Sequence, residues 1–139
     1  MQKTLLDTDI LSDFLRGKNV NVVRHVEAYL REYGRLTNSV VTVFEIVRGR
    51  HQAQQFDRAA QFLTWAQGTE LIEFDYNCAR TGGEIAGALL RSGTTVGIAD
   101  SLIAATAITR RLTLATANVD HYQRISAFGL TIQNWRNAD

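Results

Sequence analysis

Short apolar runs alternate along the chain with longer stretches in which apolar residues recur every third or fourth position. Runs of the first kind read as buried strands, and stretches of the second kind as helices with one face turned to a core. Residues 3–6 predict a strand, and residues 10–15 a helix that Gly17 ends. A second helix is predicted over residues 20–32, where Val22, Val23, Val26 and Leu30 share a side. "RLTNS" reads as a brief second strand, residues 40–50 as a helix apolar on most sides, and residues 54–67 as a helix with Phe56, Ala60, Leu63 and Ala66 at helical intervals. "LIEF" (71–74) is a third strand, followed by a helix over 76–91 that turns Ile85, Leu89 and Leu90 inward. The loop "SGTTVG" feeds a very apolar helix over 98–109, then "LTLAT" (112–116) as a fourth strand, a short helix over 120–128, and "LTI" as a short fifth strand.

Strands alternating with helices imply an α/β fold: a short, mainly parallel sheet of four to five strands flanked by helices on both faces, an α/β/α sandwich. Proline is absent and no repeat or low-complexity linker interrupts the pattern, so residues 1–139 are expected to form a single domain. At 45% hydrophobic residues the chain can bury a core without disulfides or structural metal. The lone cysteine, Cys78, has no internal partner, and no charged-then-apolar leader precedes Thr4, so a reducing cytoplasm is expected. Polar residues interrupt every apolar stretch well short of the roughly 20 residues that span a bilayer, so no membrane association is expected.

A net charge of +1 removes the overall cationic field that marks many nucleic-acid binders, leaving any such role to local patches. Of the 15 basic residues, 13 are arginine, the side chain suited to bidentate phosphate contacts, and the two lysines are Lys3 and Lys18. Codon bias explains that skew equally well.

The acidic residues carry the chemistry. In an open parallel sheet, functional groups collect beyond the carboxyl ends of the strands. Asp7 falls just past the first strand, Glu45 in the helix after the second, and Asn118 and Asp120 just past the fourth. Asp100 opens the helix leading into the fourth strand and shares its apolar side with Ile103, Ala104 and Ala107, where a carboxylate needs a partner. Each has a structural reading of its own: Asp9 or Thr8 as a helix cap, "TVFE" as a capping box if the helix starts at Thr42, Asn118 as an N-cap, and Asp100 in a first turn. Together, three or four carboxylates on one edge repel and raise each other's pKa values unless cations lie between them. With no Cys or His cluster the donors are hard oxygens, which point to Mg²⁺ or Mn²⁺ and to metal-assisted phosphoryl transfer.

"LLDTDIL", Glu45 within "VVTVFEIVRG", "GTTVGIADSLIAATA" around Asp100 and "TLATANVDHYQRI…GLTIQNW" resemble, nearly end to end, the PIN-domain ribonucleases, and more narrowly the VapC toxins of VapBC toxin–antitoxin pairs. The resemblance implies a single PIN-like domain and a cytoplasmic, Mg²⁺- or Mn²⁺-dependent endoribonuclease that hydrolyses RNA with a metal-activated water, leaving 5′-phosphate and 3′-hydroxyl ends. Carried over by residue, Asp7 and Asp100 would be the principal metal ligands, and Glu45 would complete the metal shell or orient the attacking water. Asn118 occupies the fourth site position, with Thr116 beside it; the neutral amide departs from the four-acid form, and Asp120 is the other candidate there. Asp9 takes a supporting or capping role. Arg48 and Arg50, on the Glu45 helix, are candidates for positioning RNA. A VapB-type antitoxin and homodimerisation through apolar helices are also implied.

Two rivals come from other classes. Asp7-Thr8-Asp9 matches the opening D-x-D of haloacid-dehalogenase phosphohydrolases, but those enzymes need a later lysine beside the aspartyl-phosphate, and none follows Lys18. The other is a degenerate PIN domain that only binds antitoxin or RNA; retention of Asp7, Glu45 and Asp100 favours activity. A non-toxin RNA-processing PIN nuclease stays open beside them. A two-histidine ribonuclease has no pair among His25, His51 and His121 that the sequence brings together.

Overall fold

The computed structural model describes residues 1–95 and 97–138. Five short strands, β1 (Thr4–Leu6), β2 (Thr37–Ser39), β3 (Glu70–Ile72), β4 (Thr113–Ala115) and β5 (Ile132–Gln133), pair in the order β3-β2-β1-β4-β5. Every pairing is parallel, with Leu5 opposite Thr37 on one side and Leu114 on the other. The chain builds outward from β1 to β2 and β3, then returns to place β4 on the opposite side of β1. The topological switch point therefore lies between β1 and β4, the place where an open α/β sheet opens a crevice at its carboxyl edge.

The strands are only two or three residues long, so side chains from both faces of the sheet carry the packing. On one face Leu5, Ile72, Ile85, Ile103, Leu114 and Tyr122 form one buried cluster; on the other Leu6, Ile10, Val26, Tyr29, Phe62 and Trp135 form a second. Adjacent strand residues such as Leu5 and Leu6 belong to opposite clusters, as the two-residue period of a strand requires.

Helix α1 (Thr8–Arg16) ends on Gly17, whose φ of 63° takes the left-handed conformation that ends many helices. Helices α2 (Val20–Tyr33), α5 (Tyr76–Arg91) and α6 (Ile98–Thr109) follow the predicted spans to within a residue. α5 and α6 cross closely at Gly82: a Cβ there would lie 3.4 Å from Ala105 Cβ and 3.7 Å from Leu102 Cδ2. That crossing fixes α6, and with it Asp100. No helix among the described residues is long and apolar enough to cross a membrane.

Several local expectations are corrected. α3 (Val40–Gln52) starts at Val40 with Ser39 as its cap, the Ser39 hydroxyl oxygen accepting from Val41 N, so "TVFE" is not a capping box and Glu45 is released from that role. The cap of α1 is Asp7 itself and not Thr8 or Asp9. α4 (Phe56–Ala66) buries Ala59, Phe62 and Ala66 while Phe56, Ala60 and Leu63 face outward. Two apolar stripes compete on that helix, and the one holding Phe62 meets α3. Leu90 is likewise 74% exposed, because Ile85 and Leu89 fill the α5 contact. The last predicted helix divides into α7 (Val119–Gln123) and a 3₁₀ turn at Ser126–Phe128.

Candidate active site

Asp7 leaves β1 with its backbone N–H bonded to Ala115 O of β4 at 2.8 Å, which pins it at the switch point. Its carboxylate is 5% exposed and fully engaged: Oδ1 accepts from Thr8 N at 2.8 Å, and Oδ2 from the Thr116 hydroxyl at 2.8 Å. Asp100, half-buried in the first turn of α6, comes to the same place from the other direction. The joining group is the hydroxyl of fully buried Tyr122, 3.3 Å from Asp7 Oδ1 and 3.0 Å from Asp100 Oδ1. One hydroxyl has one proton, so both contacts are hydrogen bonds together only when a carboxyl group supplies a second.

The electrostatics agree. Burial, aided by the Asp9 charge and more weakly by Asp100, pushes Asp7 up to about 7 against the hydrogen bonds from Thr116 and Thr8 that favour its ionised form. Burial also raises Asp9, and burial together with Asp7 and Asp100 holds the Tyr122 phenol neutral. Carboxylates brought together in this way are stabilised by a cation between them.

Glu45 reaches the site through an intermediary: its Oε1 accepts from the Thr8 hydroxyl at 2.6 Å, and Thr8 Oγ1 lies 3.1 Å from the Thr42 hydroxyl. Asp9 Oδ2 accepts from Ala117 N at 3.0 Å, latching the β4–α7 loop to α1. Thr116 serves the same loop, accepting from Asn118 N at 3.0 Å while donating to Asp7. Asn118 sits exposed at the head of α7 without a side-chain cap bond, and Asp120 is exposed beyond it. Neither is brought into contact with the Asp7–Asp100 pair among the contacts of the described residues. Arg50 is half-buried and borders the same groove as Thr8 and Glu45, whereas Arg48 is exposed with its guanidinium 5.3 Å from the Phe44 ring centroid.

Sequence reasoning missed Tyr122, His121 and Thr8. His121 Nε2 stands 2.9 Å from Asp100 Oδ2, close enough for an ion pair but without the alignment of a hydrogen bond. A Tyr on a helix facing a core requires a partner for its hydroxyl, which is the signal that "VDHYQ" carried.

The donor set suits a hard divalent cation. Among the described residues no three Asp, Glu, His or Cys groups converge as a ready cage, but Mg²⁺ commonly takes only one or two carboxylates and fills its remaining positions with water. Asp7 and Asp100 supply that number. We expect Asp9→Ala to cost about 1–3 kcal/mol by leaving the Ala117 N–H without its acceptor, measurable as a lowered denaturation midpoint with an unchanged m-value.

Carboxylates gathered at the switch point of an open parallel sheet define an α/β protein with an acidic site at the carboxyl edge of its strands. Residues 4–126 match the PIN domain, and the chain belongs to the PIN-domain family. Within that family it is 35% identical over 120 residues to ribonuclease VapC10 of Mycobacterium tuberculosis, covering 85% of this chain and 84% of the relative. It is 28% identical over 136 residues to the tRNA(fMet)-specific endonuclease VapC of Shigella flexneri, covering 97% and 99%. In three dimensions it resembles a chain in the crystal structure of DNA-bound VapBC from Salmonella typhimurium, with a TM-score of 0.81, 28% identity, and 97% and 99% of the two chains covered.

Proposed function

We propose that the protein is a divalent-metal-dependent endoribonuclease and the toxin of a type II toxin–antitoxin pair. The observation that carries the reading is the Tyr122-linked pair of Asp7 and Asp100 at the sheet's switch point. Support comes from relatives named as ribonucleases and from similar chains in VapBC complexes. Asp7 and Asp100 would hold Mg²⁺, with Mn²⁺ able to substitute. A divalent cation, when bound, supplies charge neutralisation at the scissile phosphate and lowers the pKa of water.

The chain's own residues supply position. The Thr8 hydroxyl donates to Glu45 Oε1 at 2.6 Å, and held there Glu45 would orient the attacking water. Tyr122 sets the spacing of the two ligands, and Asp9 with Thr116 fixes the loop that carries Asn118. Water attacking phosphorus with the 3′ oxygen as leaving group would break the P–O3′ bond and give 5′-phosphate and 3′-hydroxyl ends. A VapB-type antitoxin, a homodimer and a cytoplasmic location complete the reading; buried, free Cys78 accords with a reducing compartment.

The test is incubation of the purified chain with structured RNA, initiator tRNA first, in Mg²⁺, Mn²⁺ or EDTA. Cleavage in metal alone, with 5′-phosphate ends, is expected; undiminished cleavage in EDTA overturns the metal mechanism, and RNA binding without cleavage returns the binding-only reading. Glu45→Gln should lower turnover about 10–100-fold, the scale of a positioned acid–base or orienting group. Induced expression without antitoxin should arrest growth, and equal arrest by the Asp100→Asn chain would exclude RNA cleavage as the cause.

A further inference from the structure

Helices α1, α3 and α4 enclose a groove of about 870 Å³ that Thr8 and Glu45 share with the acidic site. Three arginines line it, Arg16 from α1, Arg50 from α3 and Arg58 from α4, and Glu45 is the one carboxylate among its lining residues. None of the three arginines takes part in the ion pairs among the described residues. Arg50 Nε is buried without a hydrogen-bond partner among the described residues. Leaving a buried, charged N–H unsatisfied is costly, so the groove suits an acceptor that the described residues do not provide.

The spacing identifies the kind of acceptor. α1 and α3 both start at the carboxyl edge of the sheet and run away from it. Arg50 follows Glu45 by five residues, on the order of 7 Å along the helix axis, comparable to one nucleotide step of an extended strand. Arg16 follows Thr8 by eight, on the order of 12 Å, comparable to two. α4 presents Arg58, Gln61, Phe62 and Trp65 to the same groove, at positions one and two turns apart on a single face. Half-buried Trp65 offers a ring to a base, and stacking of that kind tolerates any sequence. Cations in series with an aromatic wall match single-stranded nucleic acid better than a folded protein surface.

We propose that this groove carries the single-stranded RNA on one side of the scissile phosphate, with Arg50, Arg58 and Arg16 gripping successive phosphates and Trp65 stacking a base. The proposal rests on the ribonuclease reading. It also explains why a chain with a net charge of only +1 can hold a polyanion: the field is local and adjoins the acids.

The experiment measures the affinity of a fluorescein-labelled 12-nucleotide single-stranded RNA by anisotropy, from 50 to 300 mM NaCl. It uses the full chain carrying Asp100→Asn, which keeps the probe intact. In that background Arg58→Gln and Arg50→Gln should each weaken binding about fivefold and flatten the salt slope by about 0.7. Arg16→Gln, Arg50→Gln and Arg58→Gln together should weaken it about 100-fold and flatten the slope by about 2. Trp65→Leu should weaken binding about tenfold at an unchanged slope, since stacking releases no counterions. Exposed Arg91→Gln on α5 is the control, with no change expected in either quantity. Thermal melts of each variant confirm a retained fold.

Unchanged affinity and slope in the arginine variants, with RNA still bound and the chain carrying Asp100 still cleaving, overturns the groove assignment and leaves the ribonuclease reading standing. Arginine variants that keep RNA binding but lose a carboxylate-rich peptide assign the groove to a protein and overturn the proposal. Failure of the unsubstituted chain to bind or cleave any RNA removes the ribonuclease reading itself.

Discussion

Asp7→Asn is expected to lower RNA cleavage by on the order of 10³-fold or more while leaving the fold intact, and Asp100→Asn to do the same. The substitution is informative because the two jobs of Asp7 come apart in it. As the cap of α1, Asp7 accepts from Thr8 N, and Asn caps as well as Asp does. The amide oxygen can keep that bond while the amide nitrogen turns toward Thr116 Oγ1, which can accept in place of donating. What is lost is one negative charge at the switch point, and with it the cation ligand proposed for Asp7. Single-turnover cleavage assays with circular dichroism on the same preparations separate the two effects. Cleavage by Asp7→Asn at the rate of the unsubstituted chain removes Asp7 from the mechanism. Asp100→Asn is the companion test, since its carboxylate shares the Tyr122 hydroxyl but caps nothing through a hydrogen bond.

How far such a site can be read from sequence depends on how local its causes are. Strand identity, the helix ends at Gly17 and Arg91, and the convergence of Asp7 and Asp100 follow from periodicity and from one rule about parallel sheets, and all are legible. The face of α4 is not, because Phe56, Ala60 and Leu63 recur as regularly as Ala59, Phe62 and Ala66, and only α3 decides between them. Cap assignments fail for a different reason. Thr8, Asp9 and Thr42 are all good caps, and the one that serves depends on where the strand before the helix releases the chain. β1 ends at Leu6, one residue before the acid that the site uses, so Asp7 caps α1 and carries the site together. The linking hydroxyl of Tyr122 and the approach of His121 belong to α7, whose five residues are too few for periodicity to orient.

The same buried acid makes stability depend on pH in an unusual direction. Asp7 titrates near 7 in the folded protein and near 3.9 when unfolded, so between those values the folded state binds the extra proton. Its contribution to stability is therefore fully present below about pH 4 and is lost as pH rises through about 7, an effect on the order of 4 kcal/mol at its upper bound. The rise at Asp9 has the same sign. Glu70, lowered chiefly by its bond to Lys3, and Asp75, lowered chiefly by the Cys78 N–H, act oppositely and lose stability only toward acid. Asp75 is exposed and Glu70 partly so, and screening by solvent keeps both contributions small. The metal-free protein should thus melt several degrees higher at pH 5 than at pH 8. Mg²⁺ or Mn²⁺ binds the ionised carboxylates and stabilises by mass action, so it should raise the melting temperature at pH 8 and hardly at pH 5. Asp7→Asn should flatten the metal-free pH profile, melt above the unsubstituted chain at pH 8, and lose the metal response. A metal-free melting temperature that climbs from pH 5 to pH 8 would show that Asp7 is ionised without a cation, and would remove the electrostatic case for a metal at this site.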